Sequence, residues 1–449
     1  MGQLMRRFPD ACLAFIALVY LLFVINVKFG KDRWKDIIAY DGKGYYAYLP
    51  ALWIYHDLQF NFYPAIEAKY YTAAGYFDYR EKVGDVRLNK FSVGTAVMMA
   101  PFFLAGDLFA HASGAAIDGW SFPYQAAISI AGIFYALLGL GLLRRIFTLS
   151  GVPDLPSGLI LLSLAFGTHL FYYALNEPSM SHVYSFAAIA AWIYIGQQYA
   201  RSPDRSRMFQ LAFLLGLLIV IRPVNGMVLF SLPFIAGRNG WLNIMSSLKS
   251  RPWRFVSFGS IVLGWMLFQV LLNYAQSGSL ILYTYGEQRL DLLHPHLFDF
   301  LLSYRKGLFI YTPWCLLAVL VSFVLFRDDP WRAISGIGFL VLVIWVLSSW
   351  SLWWYGGSFS SRPMVDYLPF FALLLGVAWS ALRKNRIVRI GLPAVLFFVV
   401  FVNQVQTYQY RYNIIHWDSM DREHYFRVFL RVDQLGQKTN PNADLLENR

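Results

Sequence analysis

Charge is scarce in this sequence. Of its 449 residues only 14% are Asp, Glu, Lys or Arg, where a soluble globular chain carries about 25%. Cysteine is scarcer still. Cys12 and Cys315 both fall in apolar stretches, which leaves no disulfide framework and no Cys-x-x-Cys metal or redox site. There is no low-complexity tract, and no internal repeat to support an inverted-repeat transporter. What is abundant is apolar: 57% of residues are hydrophobic and 18% aromatic, and mean hydropathy is +0.45. Charge-free stretches long enough to cross a bilayer recur along the chain. The sequence therefore predicts an all-α polytopic membrane protein. Its net charge of +12 fits the excess of Lys and Arg in cytoplasmic loops better than a nucleic-acid footprint.

After Arg6 and Arg7, residues 11–27 form 17 positions without a charge, followed by Lys28, Lys31, Arg33 and Lys35. No small-residue cleavage site intervenes, so the stretch reads as an uncleaved first span. Further spans are expected at 122–143, 156–175, 183–200, 255–272, 307–326, 333–350, 363–382 and 390–405. Two regions decide the parity. Residues 91–112 are apolar but carry Pro101, Asp107 and His111, and 208–237 are interrupted by Arg222-Pro223-Val224-Asn225. With 91–112 at the interface and 208–237 a hairpin of two short helices, every compact basic cluster falls on one side. The short turns opposite (176–182, 222–225 and 351–362) carry only Arg222 and Arg362. This arrangement predicts eleven spans, the N-terminus inside and the C-terminus outside. The long outside loop 28–121 is rich in aromatics, as interfacial helices are.

Ionisable residues close to spans are costly and usually functional. Here they gather at the outer ends of the spans: Asp41, Lys43, His56, Asp57 and Lys90, then Glu177 and His182, Arg222, Arg305 and Lys306, and Arg362 with Asp366. Span centres are nearly clean, with His169 the exception. That pattern suggests one polar site at the outer surface rather than a path through the bilayer. Asp41 sits in Asp-Gly-Lys-Gly, where the glycines permit close backbone approach to a ligand; the plainer reading is a helix-capping aspartate. Lys90, in Asn-Lys-Phe, is either a phosphate contact or a snorkelling interfacial lysine. Asn176–His182 is either a capping turn or part of a divalent-metal site with Asp41 or Asp57. Trp354 and Tyr355, in the turn 349–366, belong either to the interfacial aromatic belt or to a sugar-stacking surface. Four cations on separate outer turns, Lys90, Arg222, Lys306 and Arg362, fit an anionic headgroup.

In this order the motifs resemble the GT-C glycosyltransferases, the superfamily of protein O-mannosyltransferases and the lipid A aminoarabinose transferase. The likeness rests on an acid early in the first outside loop (Asp41), a lysine motif opening an interfacial helix (Asn89-Lys90-Phe91), and a span ending in Arg144-Arg145. It also rests on the stretches DGKGYYAYLPALWIYHDL, KGLFIYTPW and WWYGGSFSSRP. The resemblance implies a GT-C-like transmembrane domain over 1–405, whose first periplasmic loop is 28–121, and a short periplasmic segment at 406–449. It implies a bacterial inner-membrane enzyme moving a sugar from a polyprenyl-phosphate carrier to a hydroxyl of a glycan, lipid or protein acceptor on the outer face. Asp41 would be the general base, with Lys90, Arg362, Arg222 and Lys306 on the donor phosphate. Tyr45, Asp57, Glu177, His182, Trp354 and Tyr355 would line the substrate or acceptor site. No cofactor is required, and Gly42 stands where many relatives carry a second acid, which leaves a divalent metal open. A sugar leaving on phosphate needs no protonating acid, because cations stabilise the developing charge. The competing class is a lipid-linked glycan flippase or polysaccharide exporter, which predicts a polar cavity through the bilayer and no need for Asp41.

Overall fold

The computed structural model describes residues 2–71, 77–83, 86–280 and 287–432. Parts of the expected loops, 72–76, 84–85 and 281–286, and 433–449 of the expected C-terminal segment lie outside the described residues. The chain opens with α1 (Gly2–Phe23), continued by a π turn over Val24–Lys28. A 3-10 turn at Lys31–Asp36 leads into α2 (Asp41–Trp53) and α3 (Tyr63–Tyr70). β1 (Arg80–Val83) and β2 (Val86–Asn89) then form an antiparallel hairpin that pairs Arg80 with Asn89. This two-stranded sheet is a small addition to a chain that is otherwise mostly helical. It is followed by α4 (Gly94–Ser113), α5 (Phe122–Leu149), α6 (Asp154–Phe166), α7 (Leu170–Leu175), α8 (Ser181–Arg201) and α9 (Arg205–Ile221). A 3-10 segment, Pro223–Ser231, precedes α10 (Leu232–Ser250) and α11 (Trp253–Ser277). The remainder is α12 (Leu297–Leu302), α13 (Leu308–Tyr311), α14 (Pro313–Ser322), α15 (Leu325–Asp328), α16 (Pro330–Ser348), α17 (Leu368–Ala381), α18 (Arg386–Arg411) and α19 (Arg422–Val428).

Local chemistry sets many of these boundaries. Proline needs no N–H partner in a first turn, and it opens the 3-10 segment at Pro223 and the helices at Pro313 and Pro330. Side-chain oxygens of Asp204, Asp329, Asn385 and Asp421 accept hydrogen bonds from the first amides of α9, α16, α18 and α19. Six described helices are long and apolar enough to cross a membrane: Arg7–Lys28, α4, α5, α11, α16 and α18. The molecule is thus a mostly helical membrane protein. Other expected spans are broken: 156–175 at Gly167–His169, and 307–326 at Thr312 and again after Ser322. The boundary expected at residue 405 falls inside α18.

The chain divides into two compact units: Met1–Ala14, Leu143–Tyr172 and Gln288–Arg449 in unit 1, and Phe15–Leu142 with Tyr173–Glu287 in unit 2. Unit 2 shows the expected hairpin. A Cβ on Gly226 would lie 3.3 Å from Ile219, so the chain turns back at Arg222-Pro223. It then follows α8 in the same direction, with Asn225 Nδ2 donating to Ser185 Oγ at 2.9 Å and Trp192 Nε1 to Ser231 Oγ at 3.2 Å. Farther along, Asn243 Nδ2 donates to Ala200 O at 3.2 Å. α11 follows α9, with Arg205 over the Trp253 ring and Phe213 against Trp265.

α4 starts at the far end of α9, where a Cβ on Gly94 would meet the Val220–Ile221 backbone at 2.4–2.6 Å. From there it runs along the first half of α5, where Gly106 faces Tyr124 and Ala127. The second half of α5 passes α8, with Gly139 against Phe186. So α4 lies beyond the end of α9 rather than beside it.

In unit 1, α17 is buried on every side from Leu368 to Trp379. α6 and α14 pack against it, and α6 also meets α18, where Gln404 Nε2 donates to Phe166 O at 2.6 Å. The two helix breaks find each other. His169 Nδ1 lies 2.8 Å from Thr312 Oγ1, which lies 3.1 Å from Ser360 Oγ. His169, the polar exception of the span centres, is therefore a fixture of two interrupted helices.

Candidate active site

Four of the sequence-predicted residues of unit 2, Asp41, Glu177, His182 and Arg222, lie near the end where α9 stops and α8 starts. Tyr40, with φ 48° and ψ −131°, sets up α2 in a conformation that L residues seldom adopt. Asp41 is the first residue of that helix and partly buried. Its charge suits the positive end of the helix. Gly42 and Gly44 both give close approach to neighbouring protein. A Cβ on Gly42 would sit 2.0 Å from Ser179 Oγ, and one on Gly44 would sit 2.2 Å from the Phe91 ring. Ser179 Oγ in turn donates to Ile37 O at 2.9 Å, and Asn89 Nδ2 to Gly44 O at 2.7 Å. The Asn89-Lys90-Phe91 motif thus clamps the first turns of α2.

Gly42→Ala should therefore be destabilising by about 1–3 kcal/mol, the usual cost of overpacking. Gly42→Ala with Ser179→Gly removes the colliding side chain, and its thermal midpoint should recover part of the loss. No recovery would mean that Ser179 is not the obstacle.

Between the two glycines, Lys43 is fully buried and was not singled out as a site residue. Its Nζ lies 2.9 and 3.0 Å from the two oxygens of Glu67, itself 5% exposed, and 3.5 Å from the centre of the Tyr71 ring. Tyr63 Oη also donates to Glu67, as does Phe77 N at 3.2 Å. Burial pushes the Lys43 pKa down, against the upward pull of the Glu67 carboxylate.

The turn after α7 completes this end. Lys28 Nζ donates to Asn176 O at 2.8 Å. Burial raises the Tyr40 phenol pKa, and the charge of Glu177, followed by that of Asp36, raises it further, so Glu177 faces the residue that leads into Asp41. His182 is buried, with its Nδ1 3.4 Å from Arg222 Nη1 and its ring against Tyr173. Asp41, Glu177, His182 and Arg222 therefore share one end of one unit. Lys90 is next to the clamp, with its ammonium over Phe77 and Phe91, and Tyr45 is buried against Phe91. Asp57 stands apart in a turn, accepting from Gln59 N at 2.8 Å and Asn61 N at 2.7 Å. Among the described residues no three His, Cys, Asp or Glu side chains gather as a metal site.

Unit 1 holds the other sequence-predicted residues. Lys306 is buried, donating to Ser358 O and, at 2.5 Å, to Trp417 O, with the Tyr410 ring 5.0 Å away. Its neighbour Arg305 lies 3.8 Å above the Trp354 ring and donates to Asp418 at 2.9 Å, so one face of that indole carries a guanidinium. Burial works to raise the Asp418 pKa, yet hydrogen bonds from Ser419 and Arg305 and the charges of Arg305 and Lys306 outweigh it and leave the group below its ordinary value. Tyr355, at φ 56°, donates its hydroxyl to Leu347 O at 2.9 Å. Arg362 opens the 3-10 turn Arg362–Val365, and Asp366 behind it is fully buried.

No protein-family model matches this sequence, and no curated protein matches it at a significant level.

Proposed function

We propose that this membrane protein is a glycosyltransferase of the GT-C type that moves a sugar from a polyprenyl-phosphate donor to an acceptor hydroxyl at the outer face of a bacterial inner membrane. The observation that carries the reading is the presence, at the same end of unit 2, of a carboxylate at a helix start, Asp41, and of the guanidinium of Arg222, which lies 3.4 Å from His182. A base and a cation are what displacement on a sugar phosphodiester requires. The acceptor oxygen attacks the anomeric carbon while Asp41 takes its proton. The bond from that carbon to the phosphate oxygen breaks, and the electron pair leaves on polyprenyl phosphate with inversion at carbon. Arg222 and Lys90 are assigned to the charge developing on the phosphate. Glu177 and His182 are assigned to the acceptor's hydroxyls.

The test is turnover by the full chain in proteoliposomes, with polyprenyl-phosphate mannose and polyprenyl-phosphate aminoarabinose as donors. Release of polyprenyl phosphate that depends on an added hydroxyl acceptor is the expected result. A donor that crosses to the other leaflet with its sugar still attached would replace the transferase reading by an exporter.

A further inference from the structure

The other half of α9 carries a second feature, remote from Arg222. A groove of about 660 Å³ opens there, lined by Ile195 of α8, Phe209, Gln210, Phe213 and Leu214 of α9, and Ile261 of α11. Five of these six side chains are apolar, and Phe213 is half exposed. The surrounding surface is apolar as well: Phe255, Val256 and Leu263 on α11 are each more than 60% exposed. One end of the groove is cationic and aromatic. The Arg205 guanidinium lies 5.1 Å from the ring of Phe209, a lining residue, and 5.6 Å from the ring of Trp253. Arg201 and Arg251 are exposed on the flanking helix ends. Asp204, next to Arg205 in sequence, accepts from Arg207 N at 2.8 Å and pairs with the Arg207 guanidinium at 2.5 Å.

These features fit a ligand with a negative head and a long apolar tail. Arg205 and Phe213 are eight residues apart, about 12 Å along a helix, a span that an extended acyl chain covers. Tryptophan beside arginine is the usual signature of the headgroup level, and basic pockets between helices on the cytoplasmic side take anionic headgroups. We infer that this groove binds one anionic glycerophospholipid, with its phosphate on Arg205 and one acyl chain between α8, α9 and α11. The site is independent of the proposed donor site, since Arg222 stands at the opposite end of α9, about 25 Å away.

Native mass spectrometry of the delipidated full chain, titrated with phosphatidylglycerol and with phosphatidylcholine, tests the inference. One phosphatidylglycerol should bind with several-fold preference over phosphatidylcholine. Arg205→Ala should weaken it about fivefold, the effect of one basic residue at a lipid surface, and leave phosphatidylcholine unchanged. Leu214→Trp, which fills the groove, should weaken phosphatidylglycerol while Arg205 is intact. Ile261→Phe repeats that test from the facing wall if the first variant does not fold. Glycerol phosphate, the head without the tail, should not compete. Competition by glycerol phosphate would make this an anion site. Displacement of phosphatidylglycerol by stoichiometric polyprenyl phosphate would give the groove to a prenyl chain. Either result overturns the inference, as does equal affinity for the two phospholipids or unchanged binding in Arg205→Ala.

Discussion

Lys43→Met is expected to loosen the whole entrance to α2, although methionine fits the space and residue 43 touches no proposed substrate. The substitution leaves the Glu67 carboxylate buried with, among the described residues, Tyr63 and the Phe77 amide to satisfy it. Removing one partner of a buried ion pair costs about 3–5 kcal/mol, because the survivor is a desolvated charge. Expressed as local opening, that is a hundredfold or more, readable as faster hydrogen exchange of the α2 amides. Lys43→Met with Glu67→Leu removes both charges, and replacing a buried pair by apolar groups is often neutral. The double variant should therefore exchange at close to the original rate. If it is as loose as the single variant, the pair is not what holds α2.

Asp41→Asn is expected to cut transfer by about 10²–10⁴-fold, the usual contribution of a general base, while donor lipid still binds. The change keeps shape and polarity, and its cost to the helix is the loss of one charge near the N-terminus, roughly 0.3–1 kcal/mol. A capping role would thus show as a small change in stability and nothing in turnover. Asp41→Glu should also be poor, since misplacement by about 1 Å can cost a hundredfold. Asp57→Asn is the control. Its carboxylate organises a turn, so turnover should hold. Normal turnover in Asp41→Asn with a dead Glu177→Gln would move the base to Glu177. Normal turnover in Asp41→Asn, Asp57→Asn and Glu177→Gln alike would remove the transferase reading.

The reversal at Arg222-Pro223 was legible because its signals are local. A charge and a proline interrupt an apolar run, and basic clusters flank that run on both sides. The breaks at Gly167–His169 and Thr312 were not legible. Both lie within runs of adequate apolar length, and what stabilises them is the contact between His169 and Thr312, 143 residues apart. The Lys43–Glu67 pair was hidden for the same reason. A lysine among tyrosines reads as interfacial, and the glutamate opposite comes from another helix. The glycines beside Lys43 were the available cue, since a helix that admits no Cβ on either side of a lysine presses that lysine into protein. Lys306 shows the converse. Sequence position suggests a ligand contact, whereas the structure gives the ammonium two backbone carbonyls.

The contact of α6 with α17 has a consequence for how the chain is made. About two hundred residues separate the end of α6 from the start of α17. At about 5–20 residues per second, the ribosome needs some 10–40 s to deliver the second helix after the first. Thr312, the partner of His169, also emerges only after most of that interval. For most of it the interrupted segment Gly167–His169 lacks Thr312, and for all of it α6 lacks α17. The nascent chain therefore depends on early-made neighbours, or on the insertion machinery, to hold this segment until Thr312 and α17 have been made.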